Sequence, residues 1–587
     1  MSAAARRIAA PLLVSLPLAA LLAASASAVP AWSPERQREV LDKTLVVRLA
    51  PDLSTLSAGE RRAADELLAV GALFQRVYED SRHPQALAAS AGLTGDAATL
   101  YRLFQGPIAT TLDNRREPFL DVEAETPGKN VYPWGIEAAE VERFLAAHPE
   151  RRGEILGERT AVRRATPQSL ARDLAALARH PVIDSLHPGL RERLAALAAA
   201  PDAATLYAVP YAVAWADEMV AAQLGLFRAA AAVEGDDPEL AGYLRNRGRD
   251  LLSNDYESGD AAWVTGRFGR LNAQIGAYET YDDALFGVKA FASFSLLVRD
   301  AAATAELART LGGLQEVEDA LPIAEHKRVR SDLPVGVYRV VADFGQARGT
   351  NTASILPNDP LHSRRYGRTI LLRENVMTHP DLFALAERRF RAAVAAAHAG
   401  ELVVDGGFQR TLWHEIGHYL GPDRTRDGRP LDQALTGRAD ALEELKSDLV
   451  SLFAVERFAA RGLMTAERLR AVQADGILRV LLDHRPRRDQ PYQTMELVQL
   501  NYFLDRGLLA PDGDGRLAIR YERFGETVTA LLAEVLELQA QGDPAAAEAF
   551  FARWTAWTDD LHEPLARRLR DAAGPRFRLV RYAALPD

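Results

Sequence analysis

The sequence contains no cysteine, and this absence removes several classes of chemistry at once. Disulfide bonds, thiolate metal ligands, a cysteine nucleophile and a lipid-modified cysteine are all excluded. Basic residues are also in deficit, with 70 lysine and arginine residues against 80 aspartate and glutamate residues. Because the net charge of −10 is spread along the chain, we expect no nucleic-acid surface.

Long apolar runs are lacking as well, since none that follows the first 30 residues could span a bilayer. The N-terminus itself is typical of a signal peptide. Arg6 and Arg7 precede an apolar stretch from Ile8 to Ala24, and Ala26-Ser27-Ala28 fits a small-residue cleavage site. We predict cleavage near Ala28 and a periplasmic or secreted bacterial protein with no membrane association after cleavage. An uncleaved anchor is the alternative, although two prolines interrupt the stretch.

The length and the apolar periodicity predict a mostly helical protein with two lobes. A chain of 587 residues exceeds the size, roughly 300 residues, at which a single hydrophobic core stops growing. Up to about Leu252 the pattern is mostly amphipathic helix, with leucine and alanine at spacings of three and four from Glu60 to Val77 and from Pro167 to Arg179. A cleft between the lobes is therefore expected.

Strand-like alternation is confined to a few short segments. It appears at Gly336 to Asp343, at Arg368 to Leu372 and near Phe577 to Tyr582, and it predicts a small sheet in one lobe. We place a mixed helical and β-containing lobe at 29–375, to which 576–587 returns, and a helical, metal-binding lobe at 376–575.

The most informative motif is His414-Glu415-Ile416-Gly417-His418, an HExxH pattern. On a helix the two histidines are one turn apart and project from the same face, where two imidazoles can bind one metal ion. Glu415 lies beside them, where a carboxylate can deprotonate a water molecule. Apolar residues at intervals of four predict a buried helix, and Gly421-Pro422 predicts its end. An ordinary amphipathic helix with two histidines is the alternative.

A third ligand must come from elsewhere, because Arg424 stands where a metzincin has histidine. The segment from Asp440 to Leu449 has helical periodicity and can pack antiparallel to the HExxH helix. Glu444 and Asp448 share one face, so one carboxylate can reach the ion and another can support a histidine ring. We choose Glu444 as the ligand; the alternative is a solvated acidic helix face. Two histidines and one carboxylate are typical of a catalytic zinc site with an open position.

These motifs resemble the dipeptidyl peptidase III family of zinc exopeptidases, particularly its shorter bacterial relatives, over most of the mature chain. Besides the two metal motifs, the resemblance includes Asn272 to Asp283, Asn351 to Asp359 and Gln499 to Leu504. It implies two lobes with a wide cleft, one helical and zinc-binding and the other containing a small β-barrel. We therefore predict an α+β, predominantly α-helical fold with a small β-sheet or β-barrel in one lobe.

The resemblance also implies roles for individual residues. Glu444 would be the third zinc ligand, and Glu443 and Asp448 would support the histidine rings. Tyr281 would contact the substrate or the developing oxyanion. The implied substrate-binding residues are Glu279, Asn351 and Asn358, of which Glu279 and Asn358 would hold the α-amino group of a peptide.

Two departures from the family pattern concern the substrate site. Tyr492 stands where relatives usually have a catalytic-site histidine, and Ile355 stands where they have an asparagine. We predict an exported peptidase with one zinc ion per chain that hydrolyses short peptides from the N-terminus, with Glu415 as the base and Tyr281 or Tyr492 as the donor to the oxyanion. The alternatives are a catalytically impaired, zinc-containing peptide-binding protein of the same fold and a zinc aminopeptidase or hydrolase of different specificity.

Overall fold

The computed structural model describes residues 31–311, 313–329, 335–357, 359–487 and 490–586. The predicted signal peptide, 1–28, lies outside the described residues. Helices predominate, and the predicted two-lobed α+β architecture is confirmed. Two large hydrophobic cores divide the chain, one built mainly from residues before Arg299 and the other mainly from residues after Phe390.

Most helices before the central sheet surround the first core, and several of them begin at a polar cap or a proline. Their bounds are Pro34–Leu41, Ala58–Arg82, Ala86–Ser90, Gly95–Phe104, Ala138–Ala147, Arg152–Ile155, Pro167–Arg179, Pro181–Leu186, Leu190–Ala199, Tyr211–Ala214, Ala216–Val233, Pro238–Ser253 and Glu257–Thr265. Short strand pairs lie among them: Ile108–Thr110 with Arg116–Pro118, and Thr160–Ala165 with Asp202–Pro210.

Helices of the second half build the core that carries the metal motifs. Five of them are used below: α1, Val404–Gly417; α2, Ala439–Ala460; α3, Ala466–Arg479; α4, Pro491–Asp505; and α5, Phe524–Gln541. The others are Ala301–Leu311, Leu314–Asp319, Pro360–Tyr366, Glu374–Met377, Pro380–Ala393, Leu431–Ala434, Pro544–Trp554 and Asp559–Asp571, with a hairpin of Leu509–Pro511 and Leu517–Ile519.

A five-stranded sheet separates the two cores. Its strands are β1, Leu271–Ala277; β2, Ala292–Arg299; β3, Val335–Gly345; β4, Ala353–Leu356; and β5, Thr369–Arg373, in the order β1-β2-β3-β5-β4. Only the β3–β5 pair is parallel. Because strand side chains alternate between faces, Leu371 enters the first core while Ile370 and Leu372 enter the second. The sheet thus packs against both cores at once.

The sheet is open, with β1 and β4 at its edges, and the structure forms no closed barrel within the described ranges. The small-sheet alternative of the prediction is therefore confirmed, and the barrel alternative is wrong. The physical reason is that β1 and β4 lie at opposite edges and do not pair with each other.

The final strand, Phe577–Tyr582, pairs in parallel with Thr44–Leu49 near the start of the chain. Val580 and Tyr582 are buried in the first core, whereas Leu565 and Leu569 of the preceding helix lie in the second. The end of the chain therefore passes from one core to the other. Among the helices that the structure describes, none is long and apolar enough to cross a membrane.

Candidate metal centre and cleft

Helices α1 and α2 pack closely, and glycine makes the approach feasible. A Cβ atom at Gly417 would lie 2.8 Å from the carbonyl oxygen of Ser447 and 2.9 Å from its Cα atom, so any larger residue would push the helices apart. His414 contacts Asp448 while His418, four residues later, contacts Glu443, so the two helices run antiparallel as predicted. Helix α1 ends at Gly417 and His418 is its C-cap with helical φ and ψ angles, which keeps the two histidines one turn apart.

The side chains of His414, His418 and Glu444 converge on one point between these helices. The Nε2 atom of His414 lies 3.2 Å from the Oε2 atom of Glu444, and the Nε2 atom of His418 lies 3.9 Å from the same oxygen. Each residue offers one donor atom, and the three atoms lie within 4.8 Å of one another. The imidazole rings are perpendicular, with centroids 5.1 Å apart.

The other ring nitrogen of each histidine faces an acid. The Nδ1 atom of His414 lies 3.3 Å from an oxygen of Asp448, and that of His418 lies 2.9 Å from Glu443 and 2.9 Å from the hydroxyl of Ser447. Such outer contacts fix which nitrogen points toward a metal ion and how the ring is turned. Both acids therefore occupy the positions that the resemblance implied for them.

The environment of the Glu444 carboxylate gives a separate reason to expect a metal ion at these three side chains. The Oε2 atom of Glu444 is buried and, within the described residues, has no hydrogen-bond partner, although it faces the two imidazole nitrogens. A buried carboxylate oxygen without a partner is costly, and a cation shared with two imidazoles would compensate it. Two nitrogen donors and one oxygen donor suit zinc.

The charges around the histidines reinforce this arrangement. Burial opposes protonation of His414, but Asp448 and Glu444 outweigh it and raise the pKa of His414 to about 9. Burial likewise opposes ionisation of Glu443, but Lys446 and His418 hold its pKa at about 2. A metal ion bound here would compete with a proton for the ring of His414.

A cleft of about 730 Å³ lies over this centre, between the β-containing lobe and the helical lobe. Glu415 is half-buried and lines the cleft beside the two histidines. Tyr492, at the start of α4, is 51% exposed and its hydroxyl interacts with Glu444. Tyr281, from the opposite lobe, is 83% exposed and its hydroxyl interacts with Glu279. The structure thus brings all the predicted catalytic side chains to one cleft.

The predicted substrate-binding residues come from the β-containing lobe. Glu279 and Asn351 line the same cleft, and so does Ile355, which lies on the edge strand β4. Asn358 lies outside the described residues. Of the two residues predicted to hold the amino group, the structure therefore places only Glu279 in the cleft.

Several supporting residues were not singled out from the sequence. The Nζ atom of Lys446 donates to the carbonyl oxygens of Gly417 and Leu420 at 2.7 and 2.9 Å, and it pairs with Glu443 at 2.7 Å. It thereby binds carbonyls that the end of α1 leaves without helical partners. Lysine and Ser447 stand inside the second metal motif, but nothing in a linear pattern shows which carbonyl or ring they contact.

Comparisons with known proteins show what the chain is similar to. No protein-family model matches the chain. The curated protein Nudix hydrolase 3 of Arabidopsis thaliana is 26% identical over 372 residues, which span 61% of this chain and 47% of that protein. The chain thus matches about half the length of this curated relative.

Two solved structures align over nearly the whole chain. Dipeptidyl peptidase III from Caldithrix abyssi aligns with 93% of this chain and 99% of its own length, at a TM-score of 0.78 and 23% identity. Dipeptidyl-peptidase III from Corallococcus sp. strain EGB aligns with 93% of this chain and 96% of its own length, at a TM-score of 0.70 and 25% identity.

Proposed function

Since the chain has the fold of dipeptidyl peptidase III, as its motifs predicted, we propose that it is a zinc-dependent peptidase that hydrolyses short peptides from the N-terminus. The observation that carries this proposal is the convergence of His414, His418 and Glu444 beneath the cleft, with Glu415 beside them. Similarity to the dipeptidyl-peptidase III from Corallococcus supports the reaction class, and the donor set supports zinc as the ion.

The metal would be held by the Nε2 atoms of His414 and His418 and by the carboxylate of Glu444. A zinc ion there would supply Lewis-acid polarisation of a carbonyl group and would lower the pKa of a water molecule. Glu415 would accept the proton of the attacking water and return it to the leaving amine. Its place in the cleft, next to His414 in the sequence, supports this role.

The hydroxyls of Tyr281 and Tyr492 are the candidates for a donor to the developing oxyanion. Tyr492 lies on the metal side of the cleft and Tyr281 on the opposite side, so a substrate between the lobes would meet both. Glu279 and Asn358 would bind the α-amino group of the peptide, since carboxylate and amide oxygens accept from an ammonium group, and Asn351 would contact the substrate beside them. That interaction would restrict cleavage to the region near a free N-terminus.

The proposal is tested by product analysis together with a metal assay. The parent protein is incubated with unblocked tetrapeptides and hexapeptides and with the same peptides N-acetylated, and the products are identified by mass spectrometry. We expect one zinc ion per chain, release of dipeptides from the free peptides only, and loss of at least about 100-fold in kcat for Glu415→Gln with zinc content unchanged. Release of single residues would favour an aminopeptidase, and bound zinc without any hydrolysis would favour a peptide-binding protein.

We also propose that the protein is exported to the periplasm or the medium. The paired arginines, the apolar stretch and Ala26-Ser27-Ala28 support this proposal. Expression of the full chain in a bacterial host, followed by fractionation and N-terminal sequencing, should find a mature protein that begins close to Val29. A full-length chain retained in the membrane fraction would contradict it.

A further inference from the structure

Arg410 lies one turn before His414 on helix α1 and projects from the same face, in line with His414 and His418. Its side chain is only 11% exposed, although arginine usually keeps its charged end in water. Arg410 lines the cleft, and it also lines a second cavity of about 360 Å³ behind α1. A buried guanidinium group at this point must be held by acids.

Two carboxylates hold it, one on each neighbouring helix. The Nη1 atom of Arg410 donates to the Oδ1 atom of Asp448 on α2 at 2.7 Å, and the Nε atom donates to the Oδ2 atom of Asp475 on α3 at 2.6 Å. Helix α3 comes this close because a Cβ atom at Gly406 would lie 2.3 Å from the carbonyl oxygen of Ala471. The guanidinium group therefore bridges the two helices that flank α1.

Asp448 is the acid that faces His414. Its side chain is completely buried, its Oδ1 atom lies 3.3 Å from the Nδ1 atom of His414, and its Oδ2 atom accepts from Gln499 at 2.8 Å. The same Oδ1 atom thus faces both the imidazole and the guanidinium group. Arg410 places a positive charge against this buried carboxylate, and its hydrogen bond fixes the rotation of the carboxylate about its own axis.

We propose that Arg410 is a positioning residue of the metal centre. Anchored by Asp475, it fixes Asp448 so that Asp448 holds the imidazole of His414 in the orientation that points its Nε2 atom at Glu444. The inference rests on the proposed function, because it takes the His414–His418–Glu444 group to be a zinc site. Arg410 itself need not touch the ion, since it acts through Asp448 and His414.

The geometry also predicts that lysine cannot replace this arginine. Asp448 and Asp475 are bound by two different nitrogen atoms of one planar group, whereas an ammonium group is a single point charge on a flexible stem. A lysine at this position would reach one acid and leave the other unsatisfied. Because the second cavity adjoins Arg410, Asp475 and Arg479, a small guanidinium compound has space to enter when the side chain is removed.

The test measures the zinc dissociation constant by competition with a chromogenic chelator, and the melting temperature of the zinc-free protein. The variants are Arg410→Ala, Arg410→Lys and Asp475→Asn, with Arg426→Ala as the control. Arg426 forms an equally close two-bond pair with Glu537, but on the exposed surface. We expect zinc affinity to fall about 10- to 100-fold in Arg410→Ala and Arg410→Lys, and to a lesser degree in Asp475→Asn, while the control keeps the parent value.

Methylguanidinium at millimolar concentration should restore zinc affinity to Arg410→Ala but not to Arg410→Lys, and an equal concentration of sodium chloride should not. In zinc-saturated enzyme, kcat should fall while KM for the peptide stays within about twofold, because the proposed role of Arg410 acts through Asp448 and His414 and not on the peptide. A purely structural role would lower the melting temperature without any guanidinium-specific recovery of zinc binding.

The outcomes separate this inference from the proposed function. If the parent protein binds no zinc, the proposed function fails and the role of Arg410 fails with it. If the parent binds zinc and folded Arg410→Ala binds it equally well, only the role of Arg410 is overturned. If Arg410→Ala does not fold, the zinc affinity of Asp475→Asn tests the inference instead. Unchanged zinc affinity in Asp475→Asn would also overturn the role of Arg410.

Discussion

At the residue scale, Lys446 shows how a single buried charge secures the metal helix. Its ammonium group is 1% exposed and is bound by two carbonyl oxygens at the end of α1 and by Glu443. The charge of Glu443 and the last turn of α1 both depend on it. The candidate ligand His418 directly follows Gly417, so the position of its ring depends on Lys446, which is not one of the candidate ligands.

We predict that Lys446→Met lowers the free energy of unfolding by about 3 kcal/mol, because it leaves a buried carboxylate and two carbonyl groups without a partner. Urea denaturation in excess chelator measures the effect without a contribution from bound metal. The matched control is Lys327→Met, since Lys327 pairs with the exposed Asp423 and its loss should cost less than about 1 kcal/mol. Equal losses in the two variants would contradict the capping role.

Much of the site could be predicted at this scale, because its residues stand at fixed spacings along two helices. His414, His418 and Glu444 were placed in this way, and the structure brings them together. Arg410 and Asp475 could not be found by the same reasoning, since 65 residues separate them and only the packing of α1 against α3 joins them. Ile355 and Tyr492 were noted as departures, and both do line the cleft.

Glu496, one turn after Tyr492 on α4, gives a pH-dependent prediction. Burial raises its pKa to about 7. The positive charge of Arg479 lowers the pKa, and the negative charge of Asp448 raises it further. The folded state therefore keeps a proton up to about pH 7 that the unfolded state releases near pH 4.5, so stability falls as pH rises through this interval.

Between pH 4.5 and 7.5, the free energy of unfolding of the parent should fall by at most about 3 kcal/mol relative to that of Glu496→Gln. Above about pH 7.5 the difference between the two proteins should stay constant. Both proteins are compared by urea denaturation in the absence of metal, so that titration of other groups cancels in the difference. Parallel stability curves for the two proteins would show that Glu496 ionises normally in the fold.

At the element scale, the sheet was predicted only in part. Strands β3 and β5 were located by their alternation, and the terminal strand was found at Phe577–Tyr582. Strands β1 and β2 were not, because they are buried on both faces and yet include polar residues such as Asn272, Gln274 and Ser295, so their sequences do not show the continuous apolar run of a fully buried strand. Helix α1 ends at Gly417, and a tighter turn in which Tyr419 and Leu420 donate to Ile416 and Gly417 continues it to Gly421, where the chain turns with a φ of 77°.

The close approach of α1 and α2 is itself testable. Gly417→Ala places a methyl group against the backbone of Ser447, which cannot move aside as a side chain would. We expect destabilisation of about 2 kcal/mol and a loss of zinc affinity, because His418 would shift away from Glu444. The control is Gly242→Ala, also inside a helix, where the methyl group meets nothing within 4 Å. This variant should increase the free energy of unfolding by about 0.5–1 kcal/mol. Unchanged zinc affinity in Gly417→Ala would contradict the proposed constraint.

At the scale of the whole molecule, the sheet joins two cores that contribute different parts of the site. The donor atoms belong to helices of the second core, whereas Glu279, Tyr281 and Asn351 come from loops beside the sheet. A substrate in the cleft would therefore contact both lobes. Helices Ala301–Leu311 and Leu314–Asp319 also pack with the second core, and the boundary near residue 375 stays a prediction.

The terminal strand offers a way to perturb one core without touching the other. Removal of residues 575–587 takes away the parallel partner of Thr44–Leu49 and withdraws Leu579, Val580 and Tyr582 from burial. We expect the first core to lose about 5 kcal/mol, from the apolar surface of three side chains. Because the donor residues pack within the second core, zinc affinity should change by less than about threefold, whereas peptide KM should rise as the substrate-side loops lose their support. Hydrogen exchange, zinc titration and peptide kinetics on the truncated chain measure these effects separately. A parallel loss of zinc affinity would show instead that the two cores unfold as one cooperative unit.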